Sequence, residues 1–212
     1  MKKLLLSAAL LSSFTVHAGP WTMYKNVSDW LGCQVHGYIE ISPIYYPKTI
    51  KFLHELQVKY PVELNDVEMS IGFNSTFFHK SMGLSLYSSL NTIYFPVEWI
   101  CAIEKDDEYF TLLTEWATLR EAGRMCIGEI IASRLIPVYW FFFVEASADH
   151  YATTRCQNPK AIIAAYEHID RFSPRGFVPS ILGRFAGIRL SNMKKTFVKK
   201  FGYELEVAKR QA

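Results

Sequence analysis

Leu112-Leu113-Thr114-Glu115-Trp116-Ala117-Thr118-Leu119-Arg120-Glu121 is the stretch whose conformation decides how this chain is understood. Asp106, Asp107 and Glu108 precede it and favour a helix start, because acidic side chains complement the positive end of the helix dipole. No Gly or Pro interrupts the run until Gly123, so a helix is predicted from Phe110 to Glu121. Thr114 and Thr118 then stand one turn apart on a shared face, with Glu115 beside the first of them.

Upstream, the pattern changes period. Ile50, Leu53, Leu56 and Val58 predict an amphipathic helix over Thr49 to Tyr60, ending before Pro61. Val67, Met69, Ile71 and Phe73 alternate as in a half-buried strand. Asn91-Thr92-Ile93-Tyr94-Phe95 predicts another, stopped by Pro96. Trp21 to Pro47 reads as irregular, punctuated by Gly32, Gly37, Pro43 and Pro47.

Downstream, helices are expected over Met125 to Leu135, Val138 to Cys156 and Ala161 to Phe172, before Pro174, Gly176 and Pro179 open a looser basic segment. The fold class is therefore α+β, a small β-sheet packed on a helical bundle. The run from Leu135 to Val144 is ten residues long and contains Pro137, too short to span a bilayer, so core burial is expected.

The N-terminus carries a different signal. Lys2 and Lys3, the apolar stretch Leu4 to Leu11, and Val16-His17-Ala18 have the order of a signal peptide cleaved after Ala18. The expected organisation is a signal peptide at 1–18, an irregular segment at 19–47, the main domain at 48–190 and a basic C-terminal helix or tail at 191–212. The 212-residue chain less its first 18 leaves 194, enough for one domain with a sizeable core. Export, periplasmic or secreted, would permit disulfides among Cys33, Cys101, Cys126 and Cys156, whose pairing the spacing does not choose. The 12 Tyr, 15 Phe and 5 Trp are expected mostly in the core. Setting Lys2 and Lys3 aside leaves 21 basic against 20 acidic side chains, a balance that argues against nucleic acid as the main partner. The cations Arg184, Arg189, Lys194, Lys195, Lys199 and Lys200 read as a solvated helix face, with peripheral contact to an anionic surface the second reading.

Zinc peptidases place two imidazoles and a carboxylate at the spacing of Thr114, Glu115 and Thr118, the HExxH frame: the histidines hold the metal and the Glu activates its water. Further along, Glu145-Ala146-Ser147-Ala148-Asp149 sets two carboxylates at i and i+4, and Val178-Pro179-Ser180-Ile181-Leu182-Gly183-Arg184 follows. Taken in order, Asn91-Thr92-Ile93-Tyr94, Glu115, Glu145-Ala148-Asp149, Pro179 and Arg184 resemble the gluzincin metallopeptidases of the CAAX prenyl protease and HtpX type over residues 48 to 190.

That resemblance implies a gluzincin, zincin-like fold. Glu115 would be a vestigial general base, Glu145 a retained metal-ligand position, Asp149 an outer carboxylate orienting it, and Arg184 a family-matched catalytic position. The chain departs from the pattern where the family needs imidazole. Thr114 and Thr118 replace both helix histidines, and Val178 replaces the His before Pro179. A neutral hydroxyl is a poor substitute for imidazole on zinc. The expectation is thus a pseudopeptidase with no resident cofactor, binding a peptide or protein along the strand near Asn91 to Phe95 by strand addition. The alternative is an active zinc metallopeptidase whose ligand set is completed by another histidine, with His79, His150 and His168 as candidates. His150 adjoins Asp149 and should point away from the site, since neighbours i and i+1 do not share a helix face.

Overall fold

Proline opens most of the long helices. The computed structural model describes residues 38–40, 42–65, 67–74, 87–88, 92–126, 137–172 and 179–206. Within them α1 (Pro47–Lys59), α2 (Pro61–Leu64), α5 (Pro137–Arg155), α6 (Pro159–Phe172) and α7 (Pro179–Phe201) each begin at a proline. Its fixed φ suits the first helical position, where the missing N–H would be unpaired in any case. The looser segment expected after Pro179 is therefore replaced by a 23-residue helix, because this proline starts an element instead of breaking one. The boundary expected at 190 falls inside that helix.

The shorter α3 (Val97–Glu104) and the central α4 (Glu108–Cys126) are joined by a turn in which Asp106 adopts φ 61°. Asp107 caps α4: its Oδ1 accepts the Phe110 N–H at 3.2 Å and its carbonyl accepts the Thr111 hydroxyl at 2.8 Å. Glu104 at the end of α3 accepts both the N–H and the hydroxyl of Thr49, each at 2.8 Å, and so ties the first turn of α1 to α3.

A four-stranded mixed sheet has the order β1-β2-β4-β3, with β1 Tyr38–Glu40, β2 Glu68–Asn74, β3 Tyr87–Ser88 and β4 Thr92–Pro96. β1 is a strand inside the stretch expected to be irregular. β2 and β4 pair in parallel, Met69 opposite Ile93 and Ile71 opposite Phe95. β3 pairs antiparallel on the other side of β4, Tyr87 opposite Tyr94. This corrects the expected binding edge. β4 is an inner strand, buried along its whole length, and among the described residues β1 and β3 form the sheet's edges.

α4 is the hub, and every residue from Leu113 to Gly123 is buried. The core gathers Leu53, Leu56 and Tyr60 from α1 and its end, Phe95 from β4, Ile100 from α3, Trp116 from α4, Ile162 from α6 and Phe197 from α7. The helix also runs through Gly123, which the sequence marks as a stop. A Cβ there would lie 2.7 Å from Tyr151 Cδ1, so glycine is what lets α5 cross this close. Met125 to Leu135 falls largely outside the described residues. No described helix is long and apolar enough to cross a membrane.

Candidate functional site

A helix buried on all sides must find internal partners for its polar side chains, because desolvated charge without a partner is costly. α4 buries Thr114, Glu115, Thr118, Arg120 and Glu121 on separate faces, and all but the Thr114 hydroxyl find a partner.

One face meets α5. Trp116, Arg120 and Arg124, at i, i+4 and i+8, meet Thr153, Asp149 and Glu145 in descending order. Trp116 Nε1 donates to Thr153 Oγ1 at 3.3 Å, Arg120 Nε to Asp149 Oδ1 at 2.8 Å, and Arg124 Nη2 pairs with Glu145 Oε1 at 2.7 Å. The matched spacing fixes an antiparallel register. Arg120 also pairs with Glu145 through Nη2 and with Glu121 at 2.6 Å. Arg189 enters from α7, donating from Nε to Asp149 Oδ2 at 2.5 Å and from Nη2 to Oδ1 at 3.0 Å. Among the described residues, three guanidiniums and three carboxylates thus form a cluster across three helices. Burial alone would push the Asp149 carboxyl up, but Arg189 and Arg120 outweigh it and hold the group below its ordinary value. Burial draws the Arg120 guanidinium down against the pull of Asp149 and Glu121.

A second face carries Glu115, 5% exposed. Its Oε1 accepts from Lys59 Nζ at 2.7 Å and Tyr60 Oη at 2.5 Å, and its Oε2 from Asn158 Nδ2 at 3.2 Å. Tyr60 Oη in turn accepts the Gln157 N–H at 3.1 Å. Burial is the largest cause that raises the Tyr60 hydroxyl, with Cys156 and the bond to Glu115 acting in the same direction. Cys156 Sγ lies 3.9 Å from Glu115 Oε1, and burial followed by that carboxylate pushes the thiol up to about 12.

Thr114 and Thr118 take a third face. At 3.6 residues per turn they lie about 140° around α4 from the row that meets α5. Thr118 Oγ1 donates to the Thr114 carbonyl at 2.7 Å, and the Thr114 hydroxyl is buried with no partner. The structure therefore does not bring together the residues that the resemblance assigns to one site. The two threonines, Glu115, and the pair Glu145 and Asp149 occupy three faces. They do not fit a zinc ion. Two hydroxyls offer poor ligands, and the nearest ligand-type carboxylates are held by guanidiniums or by Lys59 and Tyr60. Among the described residues no group of three His, Cys, Asp or Glu side chains is placed to hold a metal.

The remaining candidates are scattered. Arg184 lies in α7, while Val178 and His79 fall outside the described residues. His150 is exposed, its Nδ1 3.1 Å from Thr196 Oγ1. His168 is buried against Tyr109, Nδ1 to Oη 3.0 Å. Cys101 and Cys156 are free thiols, the first exposed and the second buried.

Sequence reasoning missed the cations that organise these clusters. Arg189 had been expected on a solvated face, yet it is 8% exposed. Its signal was its phase, since Arg189, Met193 and Phe197 share a spacing of four and the last two are apolar. Lys200 is exposed, as expected of a solvated face, but it is not free. Its Nζ donates to the carbonyls of Thr154 at 2.6 Å and Cys156 at 2.5 Å, closing the C-terminal end of α5. Comparison of the chain with family models, curated proteins and solved structures finds no match.

Proposed function

We propose that this chain is an exported, non-hydrolytic binding protein, a pseudopeptidase in sequence pattern whose polar helix residues serve to assemble a scaffold. One observation supports the reading above the others: each carboxylate that a peptidase mechanism would need is already engaged. Glu145 and Asp149 neutralise arginines, and Glu115 accepts from Lys59, Tyr60 and Asn158. A general base must be free to take a proton from water, and a metal-ligating carboxylate must direct a lone pair at the ion. Neither condition suits groups saturated in this way. The partner in this reading is a peptide or protein segment, held without cleavage.

Zinc analysis and a peptidase assay on the purified protein test it. No zinc retained and no chelator-sensitive cleavage are expected, and chelator-sensitive turnover of a peptide would overturn the proposal. A sharper version restores the motif. Thr114→His with Thr118→His puts two imidazoles in the family frame, but Glu145 lies around the helix and is bound to Arg120 and Arg124. The folded double variant is expected to lose zinc on gel filtration. Stoichiometric zinc surviving that step would show that the frame can still close.

A further inference from the structure

The partners that bar Glu115 from activating water include a nucleophile and an electrophile. Its Oε1 lies 2.7 Å from the Lys59 amine, and its Oε2 lies 3.2 Å from Nδ2 of the Asn158 amide. One carboxylate thus holds an amine from the last turn of α1 beside a carboxamide from the connection between α5 and α6. The oxygen of that amide is engaged too. Asn158 Oδ1 accepts the Lys160 N–H at 3.0 Å, at the N-terminus of α6. Negative charge collects on this oxygen when a nucleophile adds to the amide carbon, and an N–H at a helix N-terminus is suited to hold it.

The other groups around Glu115 and Asn158 do not compete. Burial is the largest cause that pushes the Cys156 thiol up to about 12, and it also raises the Tyr60 hydroxyl, so both stay protonated at neutral pH. Asparagine ordinarily loses ammonia through attack by the N–H of the next residue. Here that residue is Pro159, which has none. Lys59 is the adaptable member: its side chain is 37% exposed, and its flexible stem can carry Nζ from the carboxylate to the amide carbon.

We propose that Lys59 and Asn158 join in an intramolecular isopeptide bond, with Glu115 carrying the protons. Until the bond forms, the three side chains are the hydrogen-bonded set described above. Glu115 Oε1 takes a proton from the Lys59 ammonium, which frees the lone pair on Nζ. Nζ adds to Cγ of Asn158 while the Lys160 N–H holds the oxygen on which charge develops. The Cγ–Nδ2 bond then breaks. Nδ2 leaves as ammonium with the proton held by Glu115 and one from Nζ, and Glu115 is again a carboxylate. The balance needs no oxidant, metal or cofactor. The bond closes a loop of about a hundred residues, restricting the unfolded chain as a disulfide would, and no reductant opens it. Cys101 and Cys156, by contrast, are free thiols. The proposal holds whether or not the chain binds a partner.

The intact mass of the purified full chain tests it. That mass should lie about 17 Da below the value its residues dictate, the mass of one ammonia. Peptide mapping should find the segment containing Lys59 joined to the segment containing Asn158. Lys59→Arg, which keeps a cation beside Glu115, and Glu115→Gln, which removes the proton carrier, should each restore the full mass. On a reducing, denaturing gel the tied chain should run ahead of Lys59→Arg. Two outcomes would overturn the proposal: the full mass in the folded wild-type chain after days at neutral pH, or a deficit that persists in Lys59→Arg. The wild-type map decides even where a variant fails to fold.

Discussion

The two polar clusters of α4 satisfy buried charge in different ways. Around Asp149, three arginines and three carboxylates neutralise one another with little help from water, and they come from α4, α5 and α7. Around Glu115, one carboxylate is shared by neutral donors and by Lys59, which is partly exposed. The first is a buried cluster, in which removing Asp149 leaves opposite charge under-compensated in low dielectric. The second is a cross-brace between the end of α1, α4 and the α5–α6 connection, and solvent can take over part of its duty through Lys59. Both are satisfied, but their failure should cost very different amounts.

Asp149→Ala is the most direct way to break that contrast. It removes the carboxylate that Arg189 and Arg120 share, and denaturant unfolding should show a loss of about 3–5 kcal/mol. Glu115→Ala should cost about 1–3 kcal/mol, since Tyr60 and Asn158 lose an acceptor while Lys59 can turn to water. Equal losses would mean that the two clusters do the same work. Acid should separate them further. Asp149 has a depressed folded-state value, so its contribution is complete above the ordinary carboxylate range and is lost as pH falls through the folded value. The acid limb of stability against pH is therefore expected to flatten in Asp149→Asn.

Smaller effects probe the third face and the sulfur beside the second. Thr114→Val replaces a buried hydroxyl that has no partner, and the chain should gain about 1 kcal/mol. A loss on thermal unfolding would mean that the hydroxyl is satisfied in solution. Cys156, buried with its thiol pushed up to about 12, should resist iodoacetamide at neutral pH, while exposed Cys101 reacts. Peptide mapping before and after denaturation reads this out, and early labelling of Cys156 would show that the Glu115 brace opens readily.

Much of the fold was legible in the residues. Ile50, Leu53 and Leu56 marked α1, the alternation from Val67 to Phe73 marked β2, and Asp107 before the run to Glu121 marked α4. These signals are local, so a short window contains them. β1 was missed because three residues give too little period to read, and α3 because Val97 to Glu104 directly follows a strand. α7 was read as loose because Pro179 looks the same in sequence whether it ends an element or begins one.

The site was legible as a set of residue types and misread as a place. HExxH-like spacing correctly put Thr114 and Thr118 on one face of α4, since that follows from helical period alone. Whether Glu145 joins that face depends on which side of α4 the next long helix packs. That choice was made by the pairing of Trp116, Arg120 and Arg124 with Thr153, Asp149 and Glu145, and by the close crossing at Gly123. The sequence by itself determined α1, α4, α5 and α6, the polar residues they carry, and threonine at both 114 and 118. The tertiary structure alone decided that the carboxylates answer to arginine and lysine, because the partner of a buried charge is set by packing across elements far apart in the chain.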